Sequence, residues 1–419
     1  SWSCWLASIS PNELALELLN CCLRGAPWPE ALLEALAAEA LDEDPAVAEP
    51  ATRALVGVVV ERLADLFEPR LCGVYARLFA RVLELWRPEL GPAEALAARY
   101  ERVREVRPPA FEPRTVLVPS RVTLGADVAI TSMVLDAAKQ RYPGARIVFA
   151  APAKSWELFE KDERLTHAPL RYGRGAALRD RLAVFDELRA LTADPDTLVL
   201  DPDSRLTQLG LLPVCAAERH HLFESRGYGG ESDEALPVLT ARWLGETLGV
   251  EEPVPYLNPR FRYEAGSYPL VTASLGVGEN PAKRVQDPFE EELLRHLAGL
   301  EAQVMVDAGA PGSEEEERVE AALGALGEAA GRVGVHRGPF ASFAAMIAAS
   351  SLYVGYDSAG QHVAAALGVP LVAVFQGFAS ERTLARWAPE GPGPVTVLRA
   401  DGFQDVEELL GAARAAIRL

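Results

Sequence analysis

The run LYVGYDSAGQHVAAALGVPLVAVF, Leu352 to Phe375, places an acid, a hydroxyl, two small residues and a histidine within six positions, Asp357 to His362. Those types at that spacing suit an anion. SLYVGY reads as a buried strand, HVAAAL as a short strong helix, and LVAVF as the next strand after the breakers Gly368 and Pro370. Asp357 or Ser358 falls where a helix N-cap belongs, and Gly368 where the left-handed residue after a helix belongs. A tight turn at the carboxyl end of a parallel strand exposes backbone N–H groups at a positive helix end, which attracts phosphate or carboxylate. Ala359 and Gly360 are small enough to let a ligand approach the backbone, and His362, about one turn in, could reach the same anion. The same residues also read as a capped helix with a satisfied histidine. Local spacing alone does not choose between the two.

The surrounding elements narrow the choice of architecture. From Thr115 onward strands and helices alternate: TVLVPS, then DVAITSMVLDAAKQRYPG, ARIVFAAP, SWELFEKDERL, ALRDRLAVFDELRAL and DTLVLDP. A second series begins near YPLVTASLG and runs through DPFEEELLRHLAGL, QVMVDAG, SEEEERVEAALGAL, VGVHRG and SFAAMIAAS to the stretch above. The final helix is DVEELLGAARAAIRL. Such alternation predicts two doubly wound α/β units, with Val254 to Gly266 as the hinge and a crevice between them. Residues 1–110 differ, being rich in Ala, Leu, Glu and Arg at helical spacing without a fixed repeat, and predict an all-helical domain. The three prolines from Pro108 to Pro113 predict a linker. The expected domains are 1–110, 111–262 and 263–419.

Composition excludes several classes. The chain has 419 residues, a net charge of −19 and 49% hydrophobic residues. An acidic whole argues against nucleic-acid partners, which need clustered Lys and Arg. Cys4, Cys21, Cys22, Cys72 and Cys215 lack CxxC spacing, so neither a zinc site nor a disulfide framework is expected, and reducing cytoplasm is the simplest compartment. No apolar run approaches the roughly 20 residues of a membrane span. His220 and His221 are adjacent on an expected strand and point to opposite faces, which discounts a shared metal. Glu314 to Glu317 read as a solvated acidic helix start.

Three segments, in order over roughly 300 residues, resemble the heptosyltransferase family of glycosyltransferases, family nine, which has the two-Rossmann GT-B architecture. TLGADVAITSMVLDAAKQRYPGARI is similar to the family's Leu-Gly-Asp-Val turn and helix, with Ala126 inserted between Gly125 and Asp127. LGVGENPAKRVQDPFEEELL is similar to its glycine turn followed by a lysine and a helix. DSAGQHVAAALGVPLVAVF is similar to its Asp-Thr-Gly and His segment, with Ala359 where the family has glycine. The helical domain has no counterpart in that pattern.

The resemblance implies an inverting, metal-independent glycosyltransferase that takes a sugar from a nucleotide-diphosphate donor and needs no further cofactor. It gives Asp127 the part of base toward the acceptor hydroxyl. Lys283 and His362 would offset charge on the departing diphosphate, and the turn Asp357, Ser358, Ala359 and Gly360 would face that diphosphate. Arg205, after an expected strand end on the same crevice, is a candidate acceptor contact, with a surface ion pair as its plainer reading. The acceptor class stays open among glycan, lipid and protein, as does peripheral membrane contact; lipopolysaccharide core is the family's usual acceptor. Two other readings keep the fold: a non-catalytic binding or scaffold protein, and a GT-B sugar-nucleotide epimerase, which would want additional carboxylates in the cleft.

Overall fold

Buried parallel strands read as continuous apolar runs because both faces are covered, and the computed structural model, which describes residues 9–419, realises those runs as two parallel sheets. The first contains β1 (Thr115–Pro119), β2 (Arg146–Ala151), β3 (Leu165–Pro169), β4 (Thr197–Asp201) and β5 (His220–Leu222) in the order β3-β2-β1-β4-β5. The second contains β6 (Leu270–Ser274), β7 (Gln303–Asp307), β8 (Val333–His336), β9 (Leu352–Tyr356), β10 (Leu371–Phe375) and β11 (Val395–Arg399) in the order β11-β10-β9-β6-β7-β8. The direction in which successive strands are added reverses between β1 and β4 in one sheet and between β6 and β9 in the other, all pairs staying parallel. Ligands of such sheets bind outside the carboxyl ends of the strands at these switch points. Arg121, Asp203 and Arg205 follow β1 and β4; Lys283 and Asp357 follow β6 and β9.

The region before β1 is helical: Pro11–Arg24, Glu30–Ala40, Pro45–Thr52, a π-helical stretch Arg53–Val60 leading into Glu61–Asp65, then Pro69–Trp86 and Ala93–Arg104. The helix Pro11–Arg24 starts at a reciprocal cap between Ser10 and Glu13 and stops at Gly25, whose φ is 68°. This region does not stand apart from the first α/β unit. Alternation along the strands sends Leu117, Val148, Val199 and Leu222 to one face of the first sheet, where they share a core with Leu71, Tyr75, Phe79 and Val82 of the helix Pro69–Trp86. The helical region therefore serves as a helix layer for that unit, although the chain between Arg104 and Thr115 is irregular as the prolines predict.

On the opposite face, Val116, Val118, Phe149 and Leu200 join a second core with Ile130 and Trp243. That core continues into Phe343, Ile347, Val363 and Phe375 of the second unit, so an apolar seam joins the two halves. The expected hinge is irregular but fastened to the first unit. Asn258 N–H donates to Leu158 O at 2.8 Å, and the Tyr256 hydroxyl donates to Asp162 at 2.7 Å. Among the described residues no helix is long and apolar enough to cross a membrane. Cys21, Cys22, Cys72 and Cys215 are free thiols; Cys4 lies outside the described residues.

Candidate functional site

The turn after β9 has the form its sequence predicts. Ser358 is the N-cap of the helix Ala359–Ala366, and Gly368 closes it in the left-handed region at φ 69°. The Ser358 side chain makes no cap hydrogen bond, and its buried Oγ has no partner. The fully buried Tyr353 hydroxyl beneath it is likewise unpartnered. Gly360 is required here: a Cβ on it would overlap the Tyr353 hydroxyl and lie 2.5 Å from Cζ. Asp357 does not cap the helix. Its carboxylate accepts from Lys283 Nζ at 2.7 Å and from Gln361 Nε2 at 2.7 Å.

Lys283 reaches this turn because its loop is tied down on several sides. Arg318 donates to Leu275 O at 2.9 Å, Val285 N–H to the Tyr356 hydroxyl at 3.2 Å, and Gln376 Nε2 to Arg284 O at 2.6 Å. Lys283 Nζ also lies 3.2 Å from Asp357 O. The structure thus brings Lys283, Asp357, Ser358, Ala359 and Gly360 to one place. His362 is there too, but burial pushes its pKa down to about 4, so it is neutral near pH 7. It can donate or accept a hydrogen bond; the expected cationic part does not follow from its setting.

Asp127 departs furthest from expectation. The inserted Ala126 is absorbed by a π-helical turn, Asp127–Thr131, between the short helices Leu124–Ala126 and Ser132–Arg141. The turn points Asp127 back beneath the loop after β1, where it accepts from Ser120 Oγ at 2.6 Å, Arg121 N–H at 2.8 Å and Thr131 Oγ1 at 2.8 Å. The side chain is fully enclosed, and burial raises its pKa against the pull of those donors. The second unit packs closely on the neighbouring Gly125: a Cβ there would sit 3.0 Å from His362 Cδ2 and 3.1 Å from Ala359 Cα. In this arrangement those three donors occupy the carboxylate. What Asp127 does is hold the loop that carries Arg121.

Arg205 is neither a simple surface pair nor free for an acceptor. It makes a two-pronged ion pair with Glu61 of the helical region, and Arg174 lies 3.8 Å from the same carboxylate. Burial opposes ionisation of Glu61, yet the charges and hydrogen bonds of Arg205, with Arg174 and Arg181, hold its pKa below the usual value. Around this pair a crevice of about 60 Å³ is lined by Arg121, Arg181, Arg205, Arg226, Asp65 and Trp387, among others. It lies outside the carboxyl ends of β1 and β4, between three parts of the chain. Phe67 of the helical region packs edge-on to Trp387 at 6.3 Å, and His362 packs edge-on to the same ring at 5.8 Å. Thr383 donates to Asp65 O, and Arg382 to Phe67 O at 3.2 Å.

Sequence reasoning missed most of this crevice, because its arginines and acids are scattered from position 61 to 226 with no local spacing to mark them. It also read Glu315 as solvated. Instead Glu315 folds over Gly276, where a Cβ would lie 2.9 Å from its Oε1, and burial, helped by Asp307, pushes its pKa up to about 7. His220 and His221 are both buried: His220 faces Asp201 and Arg99, and His221 faces Arg107. Among the described residues no group of three or more His, Cys, Asp or Glu is arranged to hold a metal ion.

Residues 279–390, which include Lys283 and the whole turn after β9, match the sequence profile of glycosyltransferase family 9 (heptosyltransferase). No curated protein matches the chain. Similar solved structures include a family 9 glycosyl transferase from Veillonella parvula, 15% identical, with TM-score 0.54 over 74% of this chain and 99% of that one. E. coli heptosyltransferase WaaC with ADP is 16% identical, with TM-score 0.51 over 72% of this chain and 98% of that one. E. coli ADP-heptose LPS heptosyltransferase II is 21% identical, with TM-score 0.51 over the same shares. The fold is therefore GT-B, two Rossmann-like units with a helical region before them, and the segment at the candidate donor turn is similar to that of family 9 glycosyltransferases.

Proposed function

We propose that the protein transfers a sugar, with inversion, from a nucleoside-diphosphate sugar to a hydroxyl of an acceptor, and that the diphosphate docks on the turn Asp357 to Gly360. One observation carries this reading: the family 9 match falls on the segment where Lys283 meets the start of the helix Ala359–Ala366. The chemistry is consistent with it. As the glycosidic bond breaks, negative charge grows on the departing diphosphate, and the lysine ammonium and the helix-start N–H groups are placed to receive it. These groups supply the required charge without a metal ion. A heptose on adenosine diphosphate is the first donor to try, since the E. coli neighbours carry ADP or ADP-heptose in their names. The lipopolysaccharide core is the corresponding first acceptor, in a cytoplasmic setting.

Calorimetric titration of ADP, GDP and UDP tests the donor site. Saturable binding of one of them, lost on competition with its sugar derivative, is the expected result. Binding of none would overturn the reading in favour of a non-catalytic protein on the same fold.

A further inference from the structure

Four arginines line the crevice outside β1 and β4, and two of them lack a counter-charge. Arg205 is matched by Glu61, and Arg226 by Asp203, whose carboxylate its Nε meets at 3.1 Å. Arg121 has no such match. Its Nη1 donates to Pro202 O at 2.7 Å and to Ser225 Oγ at 3.1 Å, its buried Nε has no partner, and among the described residues its Nη2 enters no hydrogen bond. Arg181, on the helix Leu178–Leu191, uses only its Nε, which donates to Ala176 O at 3.0 Å. The two are only 7% and 8% exposed. Burial pulls the Arg121 pKa below its usual value even with Asp203 nearby, as expected of an enclosed cation whose charge is not offset. Asp65, the remaining acid of the wall, is exposed, and solvent screens it.

We propose that this crevice binds inorganic phosphate as hydrogen phosphate, with Arg121 and Arg181 donating to its ionised oxygens and Asp203 accepting from its remaining hydroxyl. The arginines supply charge, and Asp203 supplies the choice of anion. Asp203 Oδ2 accepts from Ser225 Oγ at 2.8 Å and from Arg226 Nε, while the buried Oδ1 has no partner. A carboxylate oxygen left this way repels an anion without a hydrogen and accepts from one that carries a hydroxyl. Hydrogen phosphate keeps a proton near neutral pH; sulfate does not. The crevice volume of about 60 Å³ has room for a few water molecules, hence for a four-oxygen anion and not for a sugar ring. Its walls include Val56, Val60 and Ala64 of the helical region and Trp387 of the second unit, whose ring centre lies 5.9 Å from Arg121 Cζ. That helical region has no counterpart in the family pattern, so the enclosed site is particular to this chain. Neither Lys283 nor the turn Asp357 to Gly360 lines it, and the assignment is independent of the donor reading. Phosphate there would offset the two unmatched charges beneath the helical region and fasten the loops after β1 and β4 to the helix Leu178–Leu191.

The test titrates the full chain with inorganic phosphate and with sulfate by calorimetry, near neutral pH and at matched ionic strength, and follows thermal unfolding in both. Phosphate should saturate a single site about tenfold or more tightly than sulfate, and raise the unfolding midpoint. Arg181→Gln should weaken phosphate binding by roughly 10- to 100-fold, and Arg181→Lys by less, which separates lost charge from lost packing. Asp203 has φ 69°, a left-handed backbone that asparagine also accepts, so Asp203→Asn should fold and bring phosphate and sulfate to within about twofold of each other. Lys283→Ala should keep the phosphate site, and glycerol 2-phosphate, whose ester group the walls exclude, should not compete for it. Sulfate binding as tightly as phosphate in the parent would overturn the assignment. So would a midpoint that rises equally in the parent and in Arg181→Gln, since excluded anions stabilise any compact protein. Loss of the site in Lys283→Ala would move the anion to the donor turn, and competition by glycerol 2-phosphate would replace free phosphate with a phosphate ester; either result refutes the proposal.

Discussion

Lys283→Ala isolates the electrostatics of the donor turn. In the unliganded protein the ammonium is 2.7 Å from Asp357, with the two side chains 27% and 12% exposed. A charge-assisted contact to a phosphate contributes about 1.5–3 kcal/mol, or roughly a 10- to 150-fold loss of affinity when it is removed. The substitution also leaves Asp357 with Gln361 alone, so a bare carboxylate then stands beside an incoming diphosphate. Two like charges about 5.5 Å apart at an effective dielectric near 20 repel by about 3 kcal/mol, which places the expected loss at the upper end of that range. Isothermal calorimetry with the preferred nucleoside diphosphate at matched ionic strength measures it. The double variant Lys283→Ala with Asp357→Asn should recover part of the loss, because the repulsion goes with the carboxylate. An affinity within twofold of the parent would remove Lys283 from the donor site; a loss that the double variant leaves untouched would refute the repulsion argument.

Other expectations concern stability. Gly360→Ala would drive a methyl group into the Tyr353 ring on a central strand, so thermal unfolding should show a loss of about 1–3 kcal/mol, partly relieved by Tyr353→Phe; an unchanged midpoint would mean the turn can move away. His362 has a folded pKa of about 4 against 6.5 for the free side chain, so the unfolded chain takes up its proton first, and stability is lost as pH falls from 6.5 toward 4. Urea unfolding at pH 5 against pH 7 should show about 2 kcal/mol less stability from this group; a His362→Gln protein with the same pH dependence would contradict the assignment. Limited proteolysis within 105–114 should give two pieces that still elute together, since they share a core; separation into independent species would refute that packing.

The parts of this fold that local rules govern were legible in the sequence. Val116 to Val118, Leu352 to Tyr356 and Leu371 to Phe375 are continuous apolar runs because their strands are buried on both faces. The strand, turn, helix and strand around Asp357 could be read from Ser358, the alanine run and Gly368. What local rules could not supply was tertiary. Nothing near Ala126 tells whether an extra residue lengthens a loop or is taken up by a π turn that reverses the aspartate beside it. Alanine-rich helices announce a helical region, but not that Leu71 and Phe79 would share a core with Leu117. Nor does any spacing connect Glu61 with Arg205, or Asp65 with Thr383; those meetings depend on how three parts of the chain pack together.

A crystal structure of the complex with ADP tests the central claim most directly. The account predicts diphosphate oxygens within hydrogen-bonding distance of the Ala359 and Gly360 N–H groups and of Lys283 Nζ. A nucleotide found away from the turn, with Lys283 still paired to Asp357 as it is here, would contradict it.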